Sequence, residues 1–133
     1  MMESDKQKIQ DTTRRDDEAV RALGLTHGLI ALRMAQMRDM GLRGLGSQVA
    51  ARPHFSVAVE STRGELPCPL GHVGMFAKTN TTVVNLNLGK AITYSDLNIH
   101  MIEAHGFYEL EDSPYRLDPA ALASILEPEA AKT

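Results

Sequence analysis

The chain has 133 residues, 43% hydrophobic and 23% charged, with a formal net charge of −3 and one cysteine. That length fits one domain with a real core, and a lone thiol excludes an intrachain disulfide framework. The acidic balance gives the whole molecule no pull toward nucleic acid or anionic lipid, and no apolar run approaches the ~20 residues of a membrane span. With no secretory pattern at the polar N-terminus, the composition predicts a cytoplasmic protein in a reducing setting.

Residues 1–15 are polar and charged and read as a mobile tail or a frayed helical lead-in. From Asp16, Ala19, Val20 and Leu23 recur at one-turn spacing until Gly24 interrupts them. Thr26 then caps a second helix carrying Ile30, Met34 and Met37 on one face, with Arg33 and Arg38 off it. Gly41 and Gly44 end that helix and open a glycine-rich connector. Residues 1–52 carry nine Lys/Arg against seven Asp/Glu, a net of +2; residues 53–133 carry five against ten, a net of −5. Every aromatic residue also lies beyond Pro53, so two differently built regions share one chain.

After Pro53 the period becomes two. Phe55, Val57 and Val59 alternate with Ser56, Ala58 and Glu60, a half-buried strand, and Thr62-Arg63-Gly64 reads as a turn. Gly64, Pro67, Pro69, Gly71 and Gly74 punctuate residues 64–80, which read as a long irregular loop of the kind a ligand holds in place. Thr81 to Leu88 is a second strand, and Gly89-Lys90 turns the chain. Thr93-Tyr94-Ser95-Asp96 has the form of a capping box that starts a helix over about residues 94–105, with Gly106 as its left-handed stop. Asp118-Pro119 opens a last short helix from Ala120 to Leu126. The predicted fold is α+β: an N-terminal helical pair, a small mainly antiparallel sheet, one central helix and a short C-terminal helix. Its divisions are a tail (1–15), a helical hairpin with its connector (16–52), an α+β body (53–126) and a C-terminal tail (127–133).

Chemistry has one place to converge. Cys68 and His72 sit four apart on the proline- and glycine-rich loop, and His100 and His105 lie on the central helix. Thiolate and imidazole hold borderline-soft cations such as zinc, so Cys68, His72 and His100, with His105 or Glu103, form the candidate tetrad. On an ideal helix, positions 100 and 105 stand ~140° apart, so sharing one ion calls for an unwound last turn before Gly106. With three protein ligands and a bound water, Glu103 would act as catalytic base. The competing structural reading makes Cys68 a buried small hydrophobe and His105 a favourable cation at a helix C-terminus.

Other patterns carry less. A nucleophilic Cys68 lacks supporting neighbours and is bracketed by prolines. Lys78-Thr79 after Gly71 and Gly74 fails as a phosphate loop, because a strand follows it instead of a helix. Ala19 to Met34, with Arg33, Arg38 and Arg43, loosely matches a helix-turn-helix but lacks a second basic patch or interleaved aromatics. Met34, Met37 and Met40 suit a core or an adaptable docking surface. Two functions are expected from this. The first is a small accessory or interaction subunit that oligomerises, or docks on a larger protein through its Met-rich helices, and carries a structural metal site. The alternative is a small zinc-type lyase or hydrolase using the Cys/His cluster.

Overall fold

The alternation from Phe55 onward builds one face of a sheet, and the helices bury that face. A computed structural model describes residues 3–129. The elements run α1 (Glu3–Ala22), α2 (His27–Leu42), β1 (Val49–Ala51), β2 (Phe55–Pro67), β3 (Met75–Asn85), β4 (Lys90–Ser95), α3 (Asp96–His105) and α4 (Pro119–Leu126). The four strands form an antiparallel meander in chain order, so the fold is α+β as the periodicity predicts. Among the described residues no helix is long and apolar enough to cross a membrane.

Phe55, Val57 and Val59 of β2, Val83 of β3 and Tyr94 of β4 point to the buried side. Helices α2, α3 and α4 cover them. Thr26 caps α2 by accepting the Leu29 amide at 3.1 Å. Ile30, Ala31, Met34 and Met37 form its inward stripe, each side chain removing apolar surface from water for roughly 1–3 kcal/mol. Gly41 completes the stripe where α2 crosses β2. A Cβ there would stand 2.6 Å from Val59 Cγ2 and 2.7 Å from Val57 Cγ1. The Tyr94 hydroxyl donates to the Met34 carbonyl at 2.8 Å, and burial raises its pKa. Asn85, wholly buried, donates to the Ile125 carbonyl and the Glu127 carboxylate, and accepts the amides of Asn87 and Leu88. One side chain thereby ties the β3–β4 turn to the end of α4.

Several expectations change. Helix α1 begins at Glu3, with Thr12 and Asp16 buried, so of the two readings of residues 1–15 the helical lead-in holds from Glu3 and the mobile tail does not. Arg116 holds Asp16 by two contacts of 2.6 and 2.8 Å, which anchors that helix. Helix α1 lies against α4, and α2 against α3 and β2, so each N-terminal helix is tied to the body more than to the other. Met34 and Met37 are buried in the chain's own core and Met40 is half-buried, leaving Gly28, Leu32, Gln36, Asp39 and Leu42 as the outward residues of α2. Arg33 donates to the Leu126 carbonyl and lies over Phe55, while Arg38 pairs with Asp39 and Asp96, so both serve internal contacts.

Residues 64–80 are mostly strand. Thr62-Arg63-Gly64 is a bulge, and pairing resumes at Glu65↔Ala77 and continues to Pro67↔Met75. The hydrophobic alternation fades there because both sheet faces are largely exposed, and periodicity reports burial, not pairing. Strands β1 and β4 were not expected. Tyr94 belongs to β4, so the capping box shifts to Ser95 and Asn98, which bond reciprocally at 2.9 and 3.1 Å. The C-terminal tail is described only to Glu129, and residues 130–133 lie outside the described residues.

Two predictions follow from this packing. Gly41→Ala should destabilise the protein by about 1–3 kcal/mol, read from its urea midpoint, because neither valine can retreat without moving β2. Glu127 is held below the usual carboxylate range by its hydrogen bonds to His54 and Asn85. Its contribution is therefore complete above the unfolded carboxylate's pKa and is lost as pH falls through the lower folded value. Glu127→Gln should flatten the acid limb of the stability profile, measured by denaturant titrations between about pH 6 and pH 3.

Candidate metal centre

The β2–β3 hairpin and α3 bring the expected donors together. Beyond Pro67 the chain makes a tight turn in which the Gly71 amide donates to the Cys68 carbonyl at 3.1 Å. Pro69 presets the second position of that turn, and Gly71 takes the left-handed φ of 86° that follows it. Cys68 and His72 therefore flank one turn. Cys68 is buried at 5% exposure, and His72 faces solvent.

From the opposite side, α3 presents His100 and His105. Its C-terminus closes on Gly106 at φ 60°, with the Gly106 amide bonded to Ile102 and the Phe107 amide to Met101. The helix stays regular through His105, so no unwound turn is needed. Helical side chains lean toward the N-terminus, and the His105 ring reaches back along α3. Its centroid lies 5.4 Å from that of His100, edge to face.

Cys68 Sγ stands 3.5 Å from His105 Nε2, and His72 Nδ1 stands 3.2 Å from His100 Nε2. Cys68, His100 and His105 each offer a donor atom, and the three lie within 4.8 Å of one another. His72 stacks on His100 at 4.9 Å and meets His105 edge-on at 5.7 Å. Phe76 of β3 stacks on the His100 ring at 4.2 Å and fixes its plane. Beneath the donors, Cys68, Met101 and Phe107 form a small apolar cluster with Ile9, Leu70, Phe76, Leu97 and Leu110, separate from the main core. Burial, then the neighbouring His72 and His105 imidazoles, lowers the pKa of His100, and Glu103 acts weakly in the opposite sense.

Three of the expected ligands, Cys68, His100 and His105, thus converge, and His72 touches His100 from outside that group. Glu103, named as catalytic base, lies on the exposed side of α3 and borders a shallow groove facing α1. Two supporting residues escaped the sequence reading. Phe76 sat in the segment taken for loop, and Met101 carries no signal that separates it from an ordinary core methionine. A neighbouring chain of polar contacts was also missed. His27 bonds the Tyr108 hydroxyl at 2.8 Å through Nδ1 and Asp17 at 3.1 Å through Nε2. It packs behind Gly106, where an added Cβ would meet its Nε2 at 2.9 Å. No protein-family model matches the chain, and no curated protein or solved structure shows significant similarity to it.

Gly106→Ala should therefore cost about 1–3 kcal/mol, since alanine disfavours the left-handed cap and would also crowd His27. Thermal unfolding of the metal-free protein checks it, and a loss within error of zero would show that His105 is not held by this cap.

Proposed function

We propose that this chain is a small metal-holding accessory subunit in which Cys68, His72, His100 and His105 bind one zinc-class ion and pin the β2–β3 hairpin tip to α3. The observation that carries the reading is a pair of distances. A tetrahedral zinc with bonds of ~2.3 Å to sulfur and ~2.05 Å to nitrogen sets its S···N edge at ~3.6 Å and its N···N edge at ~3.3 Å. The Cys68–His105 and His72–His100 separations, 3.5 and 3.2 Å, have the lengths of two such edges. Apolar side chains back the inner donors, and the hairpin beyond the bulge has little core of its own, so an ion supplies the tie that burial does not. With His72 drawn in from its place beside His100, four protein donors would close the coordination sphere, as in structural sites.

One observation favours the alternative, a zinc-type lyase or hydrolase. His72 is exposed and lies outside the tight group of three, so water in its place would leave an open position. Glu103 would then have to turn inward to act as base.

Elemental analysis of untagged protein should find about one equivalent of metal per chain, with cobalt(II) giving the intense visible spectrum of a thiolate-bound tetrahedral ion. The Cys68→Ser, His100→Ala double variant should lose it. Metal retained unchanged by that variant ends the proposal, and a cobalt spectrum indifferent to His72→Ala moves the centre to the open, three-ligand form. Native mass spectrometry of the same sample reads the accessory role, for which a mass above one chain is expected.

A further inference from the structure

A second sulfur approaches the Cys68 thiol. Met101 Sδ lies 3.7 Å from Cys68 Sγ, close to the 3.5 Å at which His105 Nε2 meets the same atom. Met101 is 1% exposed and follows His100 directly on α3. Buried methionines ordinarily fill space. This one also brings its thioether to the sulfur of a ligand thiol.

Resting on the reading above only in that Cys68, His100 and His105 hold an ion, and replacing zinc as that ion, we propose that the centre prefers copper(I), held by those three residues with the Met101 thioether as an added soft donor. Two arguments carry it. The first is donor softness. Thiolate and thioether together select copper(I), whereas zinc sites draw on Cys, His and carboxylate and gain nothing from a thioether. A centre built for zinc would be served equally by leucine at position 101. The second is charge. One thiolate neutralises a monovalent ion, and neutral imidazoles add none. A divalent ion on the same donors keeps a net positive charge at a half-buried site beside Leu70, Leu97 and Phe107, and Glu103, the carboxylate that acts on His100, lies on the exposed side of α3 outside the donor set. Holding uncompensated charge against apolar groups is unfavourable, and a monovalent ion avoids it. His72, on the solvent side, is the donor copper(I) can do without.

The test uses the full chain, stripped of metal and kept reduced and anaerobic. Copper(I) and zinc(II) are titrated separately against chromogenic chelators of known affinity, in wild type and in Met101→Leu, a substitution that conserves volume. The variant should bind copper(I) about tenfold or more weakly, the scale on which supporting groups act at metal sites, while its zinc affinity changes by less than about threefold. Copper-edge X-ray absorption should count two sulfur neighbours in wild type and one in the variant. Equal changes for both ions, no change for either, or a single sulfur in wild type overturns the inference. If Met101→Leu does not fold, the wild-type sulfur count decides alone. Zinc bound at one equivalent alongside a single-sulfur copper site would sink the copper preference and leave the metal centre standing, whereas failure to bind either ion would sink both.

Discussion

The pairing of β2 with β3 carries the molecule. Its near half, from Phe55↔Asn85 to Val59↔Thr81, forms the wall against which α2, α3 and α4 pack. Its far half runs past that wall, through the bulge between Thr62 and Glu65, to a tip that lies against α3. Bulges bend and twist a strand pair, and this one sits where the hairpin leaves the core. Where Cys68 stands relative to α3 depends on both halves. The buried half sets the register, and each residue of slip would exchange the faces of every side chain beyond it.

Two apolar clusters divide the work. The larger is a continuous core of aliphatic, methionine and aromatic side chains under the sheet, sealed by Gly41 where α2 crosses β2. The smaller joins Cys68, Met101 and Phe107 beneath the hairpin tip. A cluster of that size removes little surface from water, so the tip depends more on polar and ionic ties than the core does. Its donors come from two elements distant in sequence, and closing them on an ion would link the hairpin to α3 at the point where hydrophobic burial thins out. The Cys68–Met101 sulfur contact gives that small cluster a chemical character a packing role would not require.

The α3 C-terminus shows how one backbone feature serves both packing and site. Gly106 lets the helix stop at His105 in a left-handed cap, and the absent Cβ leaves room for His27. His27 in turn links Tyr108 to Asp17 of α1. Position 105 is thereby held by a residue that is not itself a donor.

The α+β order of elements, the cap at Thr26, the stop at Gly106 and the candidate donors were all legible in the amino-acid pattern, because capping and half-burial leave local, periodic marks. Strand pairing across residues 65–67 and 75–80 left none, since hydrogen bonding between exposed main chains makes no demand on side-chain polarity. Tyr94 reads as a helix start because Thr93-x-x-Asp96 has the capping-box spacing, whereas the box that forms is Ser95-x-x-Asn98, two residues on, and only the sheet edge chooses between them. The reach of His105 toward His100 is likewise a matter of side-chain direction, which residue spacing around an ideal helix does not contain. What the sequence by itself determined was which residues could do chemistry. The tertiary structure alone decided that Cys68, His100 and His105 meet, and that Met101 meets Cys68, because distances between residues some thirty positions apart are set by the register of a hairpin and the packing of a helix on it.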